Sequence, residues 1–265
     1  MQTEQIRNAV LATIKLIAPE TDVLGIRPDA PLRQQIDLDS MDWLNVLAGL
    51  HDRLGIEIPE SDYGRLTTLD AIVGYATSMQ TERGGGSVAA KAAALSPLPH
   101  ARHLVNRIPV TVRPICPQDM PLEADFVRHL SAETRYKRFM LTLSELSPAK
   151  LHYLTEVDQI NHVALAATVD REGQDVLIGV ARYIVDPAGG DCEFAIAVDD
   201  AWQGTGLAGI LMHSLIDVAR SRALRTMQGF VLSTNGRMLA FARQLGFSLQ
   251  HDPEDRETVR VTRLL

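Results

Sequence analysis

Between Thr81 and Pro99 the chain changes character, passing through Gly84-Gly85-Gly86-Ser87, an Ala-rich run from Val88 to Leu95, and then Ser96 to Pro99. Glycines loosen the backbone, an alanine stretch this short is a marginal helix, and prolines stiffen the end of the segment. The break divides the 265 residues into a piece over 1–80, a linker over 81–108 and a piece over 109–265. As a coil the linker would let the two pieces meet at an effective concentration on the order of millimolar. A plain spacer fits the same composition.

The first piece has the 3.6-residue period throughout. Ile6, Val10, Ile14 and Ile17 form one apolar stripe, Trp43, Leu47, Leu50 and Leu54 a second, and Leu69, Ile72, Val73, Ala76 and Met79 a third. None of these helices is stable alone, so a small all-α bundle is predicted. Gly55 ends the second helix and Thr67-Thr68 can cap the last. Charge is concentrated here: residues 1–80 hold 12 Asp or Glu against 6 Lys or Arg, and the whole chain is −7. Asp37, Asp39, Asp42 and Asp52 would steer basic partners, or form an ordinary solvated helix face. Asp39-Ser40-Met41 opens the second helix, where Ser or Asp is first of all an N-cap.

The run D-L-D-S-M-D-W-L-N-V-L with L-G-I-E-I-P and T-T-L-D in order resembles acyl and peptidyl carrier proteins over nearly the whole module. That resemblance implies a four-helix carrier bundle with 4'-phosphopantetheine esterified to the Ser40 hydroxyl. It also implies a phosphopantetheinyl transferase and acyl-loading enzymes as partners. Met41 stands where the family usually has Leu, a volume-conserving change.

After Pro109 the period shortens. Strands are expected at Val110–Pro114, His162–Val169, Val176–Val185, Cys192–Val198 and Met227–Leu232. Helices are expected at Ala124–Leu130, Tyr136–Met140, from Leu207 along Ile210, Leu211, Ser214, Leu215 and Val218, and at Gly236–Leu245, with a closing hairpin in Ser248–Leu264. The turn at Gly189-Gly190-Asp191 makes its flanking strands antiparallel. These elements make a mixed α/β domain with a mostly antiparallel sheet. Between a strand and an amphipathic helix lies Gln203-Gly204-Thr205-Gly206-Leu207-Ala208. Glycines there can aim successive N–H groups and a helix N-terminus at one anion. A simple tight turn and a dinucleotide site are the competing readings, and the antiparallel strands argue against the latter.

Gln203, Gly206 and Ala208 in the pattern Q-x-x-G-x-A, followed by Asn235, Met238, Ala242, Leu245, Gly246 and Phe247, resemble the GNAT superfamily of N-acetyltransferases. The run from Cys192 to Ala208 is most similar to bacterial Pat-type protein lysine acetyltransferases. The resemblance implies that acetyl-CoA or another acyl-CoA lies on the amides of residues 204 to 208, with its pantetheine beside Ile196 to Val198 and near Asn235. The acceptor would be an amine, on a protein lysine or a carrier-bound substrate.

An amine nucleophile is mostly protonated at neutral pH and needs a base. Strand alternation sets Glu193, Ala195 and Ala197 on one face and Cys192, Phe194, Ile196 and Val198 on the other, which makes Glu193 the candidate base. It falls where Pat-type enzymes carry theirs. Phe241 stands where many relatives place a tyrosine general acid. Cys192 reads as packing, His213 as packing or surface, and Tyr136 and Arg138 as lining of an acceptor groove or plain surface. Two cysteines and eight scattered histidines suggest neither a disulfide framework nor a metal site. The charge balance after residue 80 argues against nucleic acid, and with no leader or spanning segment the expected location is the cytoplasm. Two functional readings stand: an N-acyltransferase using acyl-CoA or acyl-pantetheine on Ser40, and a carrier joined to a non-catalytic GNAT domain that senses acyl groups.

Overall fold

The computed structural model describes residues 3–18, 21–23, 25–32, 35–36, 46–47, 49–51, 53–56, 58, 66–82, 97–140, 145–186, 190–251 and 257–265. Ser40, with Asp37, Asp39, Met41, Asp42, Trp43 and Asp52, lies outside them, as do the linker from 83 to 96 and Gly189. The chain separates into two compact units, one of Met1–Lys91 with Ser147–Leu154, the other of Ala92–Leu146 with Thr155–Leu265.

In the first unit, α1 (Thr3–Ile17), the helical residues 46–47, 49–51 and 53–54, and α2 (Leu69–Glu82) bury the described members of the expected stripes. Ile6, Val10 and Ile14 meet Leu47, Leu50, Leu54, Leu69, Ile72 and Ala76 in one core. A Cβ at Gly49 would stand 2.8 Å from Thr13 Cγ2, so the glycine lets α1 and the helical residues 49–51 approach closely. Gly55, at φ 64°, ends that helix with its N–H on the His51 carbonyl at 2.6 Å. Thr68 Oγ1 accepts from Ala71 N–H at 3.1 Å and caps α2 as expected.

The second unit is an eight-stranded sheet in the order β1-β2-β3-β4-β5-β6-β8-β7. Its strands are β1 (Ala101–Val105), β2 (Ile108–Pro114), β3 (His162–Arg171), β4 (Gln174–Val185), β5 (Asp191–Val198), β6 (Thr226–Leu232), β7 (Ser248–His251) and β8 (Thr258–Leu264). All neighbours run antiparallel except β5 and β6. Helices α3 (Met120–His129), α4 (Ala132–Phe139), α6 (Leu207–Ser221) and α7 (Gly236–Gln244) flank it.

Helices α3 and α4 each start four residues before the expected Ala124 and Tyr136, and two elements are not expected at all. Strand β1 lies inside the stretch 81–108 that we read as linker, and pairs with β2 through a two-residue turn at Asn106 and Arg107, both at positive φ. Such a turn is normally announced by glycine, which is why Ala101–Val105 does not read as a hairpin strand. Helix α5 (Pro148–Thr155) is the other, and it folds up to Leu154 with the first unit. Within that unit Tyr153 Oη donates to the Ile58 carbonyl at 3.2 Å and its ring meets His51 edge-on at 5.1 Å.

Candidate functional site

Strand β5 organises the site. It pairs with β4 along its whole length, Val185 to Gly179 against Cys192 to Val198. With β6 it shares only Asp191 to Glu193 against Thr226 to Gln228. Beyond Glu193 the two strands part, since β6 continues on β8 as far as Leu232. Phe194 stands at the fork. A Cβ at Gly229 would be 2.6 Å from the Phe194 ring, so the ring lies directly on the β6 backbone, and its other neighbour is Phe247 at 5.1 Å. From Phe194 to Val198 the edge of β5 on the β6 side carries no strand pairing.

At the end of β5 the chain turns through a short 3-10 segment, Asp200–Trp202, into α6. Gly179 on β4 lets the first turn of α6 sit close, since a Cβ there would be 3.0 Å from Leu211 Cδ1 and 3.5 Å from Leu207 Cδ2. Gly204 and Gly206 take φ of 76° and 94°, conformations that other side chains resist. The first helical bond runs from Ile210 N–H to Gly206 at 3.2 Å, so the N–H groups of Gly206, Leu207, Ala208 and Gly209 have no partner within the helix. A Cβ at Gly206 or Gly209 meets nothing, and one at Gly204 meets only Arg237 Nη2 at 3.9 Å. Uncovered amides at a helix's positive end, with the Arg237 guanidinium near Gly204, have the donor chemistry that suits the diphosphate of an acyl-CoA. Thr205 is turned inward, with Oγ1 on the Trp202 carbonyl at 2.7 Å. The Gln203 amide also points into the protein, its Nε2 donating to Val198 O at 3.3 Å and to Thr134 Oγ1 at 3.2 Å. Asn235 Oδ1 accepts from Met238 N–H at 3.2 Å and caps α7.

Glu193 lies on the face of β5 that looks away from α6, with one carboxylate oxygen buried. The β4–β5 register pairs it with Ile184 and pairs Ala195 with Arg182, so Arg182 is its diagonal neighbour on that face. Arg182 is itself buried, with Nη2 at 3.3 Å from Glu123 Oε1 on α3 and Nη1 donating to His162 Nε2 at 3.3 Å. Burial pushes the Glu123 carboxyl up, against the pull of the Arg182 and Arg138 guanidiniums. Glu123, Arg138, Arg182 and Ala197 line a small cavity on the same face. Of the two residues we read as groove lining, Arg138 faces that cavity and Tyr136 is 45% exposed.

Other candidates resolve simply. Burial pushes the Cys192 thiol up to about 12, so it remains protonated and packs in the core. Phe241 packs against the core and offers no hydroxyl. Tyr183 is fully buried, with its hydroxyl accepting from Arg222 Nη1 at 3.2 Å and its pKa raised by burial. Among the described residues no three His, Cys, Asp or Glu gather as metal ligands do, and no helix is long and apolar enough to cross a membrane.

Sequence reasoning missed Arg237, Asp200, Glu123 and Arg182. Arg182 had a signal: a lone cation inside the apolar run from Val176 to Val185 has to find a buried partner.

A carrier-type helical unit followed by a mixed sheet that forks at β5, with a glycine turn into a helix at the end of that strand, defines an acyltransferase of GNAT type joined to a carrier domain. The profile of the acetyltransferase (GNAT) family matches residues 127–247, and that of the phosphopantetheine attachment site matches residues 4–76. An acetyltransferase of Pseudomonas aeruginosa is 37% identical over 146 residues, 55% of this chain and 78% of that protein. An acyl carrier protein of Rubrobacter xylanophilus is 28% identical over 78 residues, 28% of this chain and 96% of that one. The crystal structure of the GNAT domain of S. lividans PAT superimposes with a TM-score of 0.57 at 28% identity, covering 63% of this chain and 97% of that one. The chain belongs to the GNAT acetyltransferase family and carries a phosphopantetheine-attachment domain in front of its catalytic one. With N-acetyltransferase relatives of this kind, the reading of the second piece as a non-catalytic sensor is set aside.

Proposed function

We propose that the protein moves an acetyl or other acyl group from acyl-CoA, or from pantetheine carried on Ser40, to an amine on a protein lysine or a carrier-bound substrate. The observation that carries this reading is a single strand, β5, which presents a carboxylate at Glu193, an open edge from Phe194 to Val198, and an amide cradle at its end. Bound there, the donor supplies an activated thioester carbonyl. The amides of Gly204, Gly206, Leu207 and Ala208, with Arg237, hold its diphosphate, and the β5 edge at Ile196 and Val198 holds the pantetheine.

Glu193 takes a proton from the acceptor ammonium. The amine nitrogen then bonds to the acyl carbon, the C–S bond breaks, and the sulfur leaves as a thiolate that takes up the second proton the nitrogen gives up as the amide forms. A backbone N–H of β5 steadies the negative charge on the carbonyl oxygen. Glu193→Gln keeps the shape and removes the base, so acyl transfer to an amine acceptor falls about 10²–10⁴-fold while CoA still binds. Unchanged turnover in that variant sinks the assignment. Ser40 is the attachment point we assign to the pantetheine arm, and the intact mass of the protein from its native cell, with and without Ser40→Ala, tests it.

A further inference from the structure

Four donors converge on the carboxylate of Asp200, in the turn between β5 and α6, the longest of these bonds coming from Gln203 Nε2 to Oδ1 at 3.5 Å. Ser131 N–H reaches Oδ2 at 2.8 Å, and Ser131 Oγ and Thr134 Oγ1 reach Oδ1 at 2.9 and 2.6 Å. Ser131 is the N-cap of α4, and its hydroxyl also accepts from Thr134 N–H at 3.1 Å. Thr134 Oγ1 in turn accepts from the Gln203 side chain, which holds the last carbonyl of β5 as well. One connected set of hydrogen bonds therefore runs from the end of β5 through the cradle's first residue to the start of α4, across 69 residues of sequence.

Helix α4 is short, buries none of its residues, and carries Arg138 into the cavity beside Arg182 and Ala197. With little apolar anchorage of its own, its placement depends on how its N-terminus is held.

We infer that Asp200 is a positioning residue that couples the donor cradle to α4, so that filling the cradle orders the helix on the acceptor face. The inference rests on the reading of residues 203 to 208 as the donor site. Charge-assisted hydrogen bonds of this kind are strong, and a network that loses its central acceptor leaves Ser131 and Thr134 without their shared partner. Donor binding to a cradle tied down at both ends loses less freedom than binding to a loose one.

Hydrogen exchange on the full-length protein with CoA as the probe tests this. In the wild type, saturating CoA slows amide exchange across 132–139 several-fold. Asp200→Ala binds CoA about tenfold more weakly, and at saturation 132–139 gains no protection. Thr134→Val, which leaves the cradle's own residues intact, shows the same pattern more weakly and stands in if the first variant does not fold. Wild-type affinity and wild-type protection of 132–139 in both variants overturn the coupling alone. A wild type that does not bind CoA overturns the donor reading and the coupling with it.

Discussion

At the scale of the residue, Gly229 shows how the fork between β5 and β6 is built. The Phe194 ring occupies the space that any side chain at 229 would need, with a Cβ only 2.6 Å from Cε1 and 3.0 Å from two further ring atoms. The backbone there has no positive φ, so the constraint is purely steric. Gly229→Ala is expected to cost about 1–3 kcal/mol, the usual range for overpacking a core. In a Phe194→Leu background the same change should cost much less. Equal losses in the two backgrounds, read from chemical denaturation, would show that the ring is not what excludes the side chain.

Asp119 offers a second residue-level test. Burial works to raise its carboxyl pKa, but the Arg113 guanidinium, with contacts at 2.6 and 2.7 Å, and the Cys116 N–H at 2.9 Å hold it below the ordinary value. A carboxylate with a depressed folded pKa adds stability above its unfolded pKa of about 4, and that stability is lost as pH falls through the folded value. The melting temperature of the wild type should therefore exceed that of Asp119→Asn at pH 6. The gap should narrow steadily as pH falls below about 4, and a gap that does not change with pH would show that the pair acts by packing.

At the scale of the element, the β1–β2 hairpin carries a removable strain. Asn106 and Arg107 sit at φ 49° and 68°, and asparagine tolerates that region far better than arginine. Arg107→Gly should raise stability by about 1 kcal/mol in thermal or urea melts, because glycine takes the left-handed conformation without the Cβ penalty. A loss instead would mean that the Arg107 side chain makes a contact worth more than the strain.

The same turn shows where reading the sequence stops. Strands β2 to β6 were legible because their apolar runs are long and bounded by turn residues. Helix α6 was legible from Leu207, Leu211, Leu215 and Val218, all of them buried. Strand β1 was not, since a turn of Asn and Arg gives no glycine signal, and neither was α5, whose polar mix has little period. The site divided in the same way. Glu193 and the glycines of the cradle follow from local pattern. The Asp200 network and the Glu123–Arg182–His162 group join residues 20 to 69 positions apart, and only the β4–β5 register and the seating of α3 and α4 bring them together. Spacing along the chain holds no record of such pairings.

At the scale of the whole molecule, the two compact units are not two consecutive lengths of chain. Ser147–Leu154 comes between α4 and β3 in sequence, yet folds with Met1–Lys91. The Tyr153 hydroxyl on the Ile58 carbonyl and the His51 ring against Tyr153 belong to that unit. The first unit is therefore closed by a helix borrowed from the sequence of the second, and α5 should open with the helices it packs on. Leu50 is fully buried in the first core, and Leu50→Ala should remove about 2–5 kcal/mol from that unit. Amide exchange at 149–154 should accelerate together with that of α1 and α2, while β3 over His162–Arg171 keeps its wild-type protection. If 149–154 instead follows β3, the helix draws its stability from the catalytic sheet and the carrier unit ends with its own chain.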